Sequence, residues 1–260
     1  QCLSMGFYQF DGAQLYGEFK GEFANIPDDG RMEIYTKIKG TPSSNAGKRT
    51  LIQSLVDSAR TLPSRHYKGV YFHDTDHEYW KSDHAKEIAT KIVAKGIGNV
   101  IGVSAYNDGD LAVAGKLSWC SLVQIPLNPL FIPDITLLPS NVDIVYRSIF
   151  LQGALIKPEF CSNHPQYKTL QAAVEALQEL STLFRITLAE LMIRFALSFT
   201  NRPNTSVVVG ARSTESLRGL ARAIKGNGDL NNKIYNAVVQ KIEQNRSGLI
   251  DPRTWDKARL

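Results

Sequence analysis

Four side chains in the first third of the chain could move a proton together: Asp11, Tyr16, Lys37 and His73. Each stands at or just past the C-terminal end of a short apolar run, at residues 7–10, 32–35 and 70–72. A tyrosine alone is a weak acid at neutral pH. A neighbouring ammonium favours its phenolate, and a carboxylate beside the lysine keeps that ammonium charged and aimed. A histidine can then orient the oxygen that receives the proton. Taken singly, each of the four is equally an ordinary polar group at a strand end.

Such a constellation needs elements that end at one place. Short β-branched and apolar runs alternate with stretches of helical period, the pattern of a parallel sheet with crossover helices. After the first three runs come 99–103, 122–125, 143–146 and 206–209, seven strands in all. Helices are expected at about 45–60, 83–95, 108–117, 166–184, 187–200, 213–224 and 231–245. In a parallel α/β barrel the strand ends converge on one rim, where side chains point at one another across the mouth. A closed barrel of this kind has eight strands. Leu3-Ser4-Met5-Gly6 reads as the end of a helix entering the first legible strand, so the eighth is expected before Gln1. On this reading the chain begins inside a longer protein or the barrel carries an open seam. The segment 126–139 holds four prolines and reads as a substrate-side loop with at most a short broken element. With no linker, repeat or low-complexity tract, residues 1–260 are expected to form a single domain.

Composition narrows the class. The 260 residues are 43% hydrophobic and 21% charged, with a net charge of +5 and a pI near 9.0. No apolar stretch is long enough for a membrane span. The basic residues are scattered, which argues against a nucleic-acid partner and allows either an anionic cofactor or a mildly basic surface. Cys2, Cys120 and Cys161 lack metal-ligand or disulfide-framework spacing, and the opening Gln-Cys-Leu-Ser-Met-Gly is no signal peptide, so a cytoplasmic location is expected.

Read in order, Phe10-Asp11-Gly12-Ala13-Gln14-Leu15-Tyr16-Gly17, Tyr35-Thr36-Lys37-Ile38 and Val70-Tyr71-Phe72-His73 resemble the aldo-keto reductase family. The later landmarks agree: Ile101-Gly102-Val103-Ser104-Ala105-Tyr106-Asn107, Val123-Gln124-Ile125-Pro126-Leu127-Asn128, Arg147-Ser148-Ile149-Phe150-Leu151-Gln152-Gly153 and Val207-Val208-Val209-Gly210-Ala211-Arg212-Ser213. The segment 147–153 and the closing Ile250-Asp251-Pro252-Arg253-Thr254-Trp255 are most similar to bacterial members found with surface-polysaccharide and sugar-modification genes.

This resemblance implies a TIM (β/α)8-type barrel that binds NADP(H), or NAD(H), across its C-terminal rim and reduces a small-molecule aldehyde or ketone without a metal. Tyr16 would protonate the carbonyl oxygen, Lys37 and Asp11 would lower the pKa of that tyrosine, and His73 would orient the oxygen. Ser104 and Gln124 would hold the nicotinamide carboxamide, or simply cap strands. Ser148, Leu151, Gln152 and Gly153 would follow the pyrophosphate. Gly210, Ala211, Arg212 and Ser213 open a helix, where backbone donors suit a phosphate. Arg212 would either meet a 2′-phosphate or face solvent. The chain departs from the family pattern at Ala105, usually asparagine, and at Ser216 and Leu220, which remove the usual adenine contacts; Arg218 either substitutes for them or is solvated.

Two other readings compete with the reductase. His73-Asp74-Thr75-Asp76-His77, with His84 nearby, contains enough ligands for a metal-dependent barrel hydrolase, although these residues cluster in one loop and the acids suit a helix start. A non-catalytic nicotinamide-binding redox sensor would keep the fold and lose the turnover. Substrate and oligomeric state are not legible in the residues.

Overall fold

A computed structural model describes residues 2–13, 30–62, 64–162, 166–211, 213–225 and 228–242. The strands are β1 (Gln9–Asp11), β2 (Glu33–Ile38), β3 (Tyr67–Phe72), β4 (Gly98–Ser104), β5 (Leu122–Pro126), β6 (Asp143–Arg147) and β7 (Thr205–Val207), and they neighbour one another in chain order. The helices are α1 (Asn45–Arg60), α2 (His77–Lys81), α3 (Asp83–Ala94), α4 (Asp108–Ala114), α5 (Tyr167–Phe184), α6 (Leu188–Leu197), α7 (Thr214–Ile224) and α8 (Gly228–Lys241).

The chain divides into two compact units, Gln1–Ile125 with Asp134–Ile144, and Pro126–Pro133 with Val145–Leu260. In the first, β1 to β5 pair in parallel. Their near-continuous apolar sequences are what a sheet covered on both faces requires, and Ile34, Val70, Phe72, Ile101, Val103, Val123 and Ile125 are buried. Gly102 on β4 lies opposite Leu122, and a Cβ there would sit 1.5 Å from the Leu122 carbonyl oxygen. Only glycine fits that approach. α1 starts where Ser44 accepts the Gly47 N–H, and α3 where Ser82 accepts that of Ala85; the two helices pack together, α3 against β4.

In the second unit, the end of β6 meets the chain just past β7 through the Val208 N–H and the Tyr146 carbonyl at 2.7 Å. Residues 191–196 of α6 are all buried, so this helix is wrapped on every side; α7 and α8 pack against it. Phe195, Phe199 and Tyr235 form its aromatic cluster, with Tyr146 edge-on to Phe199.

Several sequence boundaries shift. β2 continues through Ile38, because Ile34, Thr36 and Ile38 share one buried face, so Lys37 lies inside the strand rather than beyond its end. β1 ends on Asp11 itself. The residues before it form a 3-10 turn, Leu3–Met5, closed by Gly6 at φ 89°. Helix α2 is an addition to the expected set. The proline-rich segment carries one short 3-10 turn at Ile135–Leu137.

Candidate active site

Parallel pairing places the candidate residues of five strands of the first unit in register. The register sets Asp11 beside Tyr35, Lys37 beside Tyr71 and Ser104 beside Gln124. Lys37 Nζ forms an ion pair with Asp11 Oδ2; the two side chains are only 3% and 12% exposed. Asp11 Oδ1 accepts a second bond from Gln124 Nε2 at 2.9 Å. The aspartate therefore stands as a fork, with the lysine on one oxygen and the amide on the other. A carboxylate so nearly sealed from water requires such donors. Lys37 Nζ also reaches the Gly12 carbonyl at 3.5 Å and lies 5.5 Å from the centre of the Tyr71 ring, within cation–π range.

Two polar atoms in this neighbourhood are buried without a hydrogen-bond partner among the described residues, Gln124 Oε1 and Tyr71 Oη. Burial drives the Tyr71 hydroxyl well above the usual tyrosine range, reinforced by the negative charge of Asp11 and by Tyr35, with the Gln124 side chain opposing. Tyr71 thus stays a neutral phenol, with its ring packed beneath the lysine.

His73 follows β3 directly, and its N–H donates to the Ile38 carbonyl at 2.9 Å. The structure thereby brings Asp11, Lys37, Gln124 and Ser104 together at the strand ends, with His73 at the end of the intervening strand. Tyr16 lies outside the described residues. Ala105 is fully buried, and its N–H donates to the Gln124 carbonyl, so only its backbone serves the site.

The acids after His73 are not simply solvated. The Asp74 carboxylate accepts the Gly40 N–H at 2.7 Å, and Asp76 caps α2 by accepting that of Tyr79 at 3.0 Å. The nearby histidines are also engaged: His77 Nε2 lies 2.7 Å from Asp110 Oδ1, and His84 Nδ1 lies 3.3 Å from Lys48 Nζ. Among the described residues no three metal-binding side chains converge.

In the second unit, the loop after β6 holds Ser148, Leu151 and Gln152 at φ 58°, 49° and 55°, followed by Gly153 at 95°. Left-handed backbone on side-chain-bearing residues is uncommon, and its alternation with right-handed residues forms the concave amide surfaces that receive anions. Leu151 is fully buried, so only its backbone is available for such a contact. Ser213 caps α7 by accepting the Ser216 N–H at 3.1 Å. Leu220 is buried on the inner face of α7, while Arg218 is exposed. Arg212 lies outside the described residues, as does the tail containing Trp255.

The family model of the aldo/keto reductase family matches residues 1–243, nearly the whole chain. The chain belongs to the aldo/keto reductase family. Solved structures agree on the fold at low identity. It is similar to the apo form of aldo-keto reductase AKR11C1 from Bacillus halodurans at 18% identity and a TM-score of 0.71, covering 93% of this chain and 84% of that one. An aldo/keto reductase from Brucella melitensis matches at 17% identity and 0.66, covering 92% and 85%. A mutant of Gox0644 in complex with NADPH matches at 15% and 0.70, covering 95% and 83%. No curated protein matches the chain. Family membership makes this aldo/keto reductase an oxidoreductase acting on small-molecule carbonyl compounds, with NADP(H) as the family's cofactor. No helix among the described residues is long and apolar enough to cross a membrane.

Sequence reasoning missed two members of the site. Tyr71 was absorbed into an apolar run, although its register with Lys37 places it beside the amine. Asp110, 3% exposed, was not singled out at all, since nothing in the residues around it marks it as buried.

Proposed function

We propose that this protein reduces an aldehyde or ketone, a sugar-derived carbonyl among the candidates, with NADPH, on a single aldo-keto reductase-like barrel domain spanning residues 1–260. The observation that carries the reading is the buried Lys37–Asp11 pair steadied by Gln124. An ammonium held charged by a carboxylate, at the rim where strands end, is what a tyrosine acid needs beside it.

The residues present fit the cofactor. Gln124 Oε1 is a buried acceptor without a hydrogen-bond partner among the described residues, and a carboxamide N–H would satisfy it; Ser104, its register neighbour, supplies a second polar group. The left-handed turn of Ser148, Leu151, Gln152 and Gly153 suits a pyrophosphate through backbone donors, and Gly210, Ala211, Arg212 and Ser213 suit the phosphate beyond it. When bound, the nicotinamide supplies the hydride. Tyr16 holds the proton on its phenol oxygen and yields it to the carbonyl oxygen of the substrate. Lys37 lowers the cost of the phenolate left behind, Asp11 keeps that ammonium charged, and His73 orients the accepting oxygen.

The test is steady-state NADPH oxidation with a panel of aldehydes and keto sugars, wild type against Tyr16→Phe, with NADPH and NADH titrated side by side. Turnover is expected in the wild type, with a loss of at least about 100-fold in kcat for the variant. Cofactor binding without turnover of any carbonyl in the wild type supports the redox-sensor reading instead.

A further inference from the structure

Asp110, in the first turn of α4, is 3% exposed, and its two oxygens are divided between two loops. Oδ2 accepts the N–H of Tyr106, just past the Ser104 end of β4, at 2.7 Å. Oδ1 lies 2.7 Å from Nε2 of His77, the first residue of α2. The His77 ring leans on Trp80, 5.3 Å between centroids, and the Trp80 indole N–H donates to the carbonyl of Asp74 at 3.0 Å. Asp74 follows His73 directly. A continuous set of contacts therefore runs from the backbone beside His73, through Trp80 and His77, to Asp110 and on to the backbone beside Ser104.

Helix capping does not account for Asp110. The cap of α4 is Asn107, whose side chain accepts the N–H of Asp110 itself at 3.0 Å. An acid placed only to favour the helix N-terminus gains its benefit while exposed, without the desolvation that burial imposes. Burial of this carboxylate is tolerable because two donors meet it, and those donors belong to the two loops that bear candidate site residues.

We infer that His77 and Asp110 are positioning residues, a latch that holds the His73 loop and the Ser104 loop in fixed relation for carbonyl reduction; the inference rests on the reductase reading above. The latch adds no proton transfer of its own. It limits how far the orienting histidine can drift, and displacements of about 1 Å in such groups are enough to slow a reaction up to about 100-fold.

The experiment compares wild type, His77→Ala and His77→Gln, the last retaining an N–H donor near the place of Nε2. Expected for His77→Ala is a fall in kcat of about tenfold, with NADPH affinity and thermal midpoint close to wild type, and recovery of most of the loss in His77→Gln. An unchanged kcat in His77→Ala overturns the latch and leaves the reductase reading standing. So does a fall matched by lost folded protein that His77→Gln fails to recover. If the wild type binds NADPH yet reduces no carbonyl, the reductase reading fails by itself, and hydrogen exchange decides the latch. Lost protection at the amides of residues 74–76 and Tyr106 in His77→Ala, regained in His77→Gln, upholds it; unchanged protection overturns it.

Discussion

Removing the Lys37 ammonium by Lys37→Met leaves Asp11 ionised, 12% exposed and with Gln124 as its one remaining side-chain donor among the described residues. Breaking one partner of a buried pair typically costs about 3–5 kcal/mol. Because the amide and some solvent still reach the carboxylate, the lower end applies, about 3 kcal/mol. Asp11→Asn strands the ammonium instead, with the Gly12 carbonyl at 3.5 Å, and is expected to cost a similar amount. If the charges are coupled, the double variant carries no uncompensated ion. Its loss should then be about 3–4 kcal/mol rather than the sum of roughly 6, a coupling of about 2–3 kcal/mol. Urea unfolding followed by circular dichroism measures the three variants against wild type. On the mechanism proposed above, turnover measured in parallel should not recover in the double variant, which lacks the ammonium beside the proton donor even where stability no longer needs it. Stability losses that add to within about 0.5 kcal/mol would show that the two groups do not form a coupled buried pair.

Gly102→Ala should prevent close approach of β4 and β5, because its Cβ would fall 1.5 Å from the Leu122 carbonyl oxygen. A loss of about 3 kcal/mol is expected, a drop in Tm of roughly 10 °C for a chain of this size, and an unchanged thermal melt refutes the β4–β5 register. Glu87 is held down to about 2 by its hydrogen bond from Lys48, then by Lys91. Since its folded pKa lies below the ordinary 4.5, its contribution is present above that pH and disappears as pH falls towards about 2. Glu87→Gln should therefore be less stable than wild type near neutrality, with the gap in urea midpoints closing over that interval; a constant gap contradicts the sign.

How much of this was readable in advance differs from residue to residue. The seven strands and the span of α1 follow from alternation and helical period, signals carried by neighbouring residues. Lys37 was placed two residues beyond the run 32–35 because the polar Thr36 and Lys37 interrupt it, while the buried face that continues through them depends on the flanking strands. Helix α2 has five residues, too few to display a period, although Asp76 preceding His77-Glu78-Tyr79 is a capping signal that could have marked it. The partners of Asp11 and Asp110 were beyond reach: Gln124 lies 113 residues from Asp11, and His77 lies 33 from Asp110. Two such residues become neighbours only through pairing of strands and packing of helices, which no local pattern encodes.

That span of 113 residues has a kinetic consequence. The amide on β5 can reach the aspartate on β1 only after every intervening strand has joined the sheet, and closing so long a loop carries an entropy cost that local contacts do not recover. The bond from this amide to Asp11 is thus completed later in assembly than the pairing of β1 with β2 that brings Lys37 to the same carboxylate. During refolding from denaturant, helical signal should return first, and any NADPH-dependent turnover only after the fifth strand has joined.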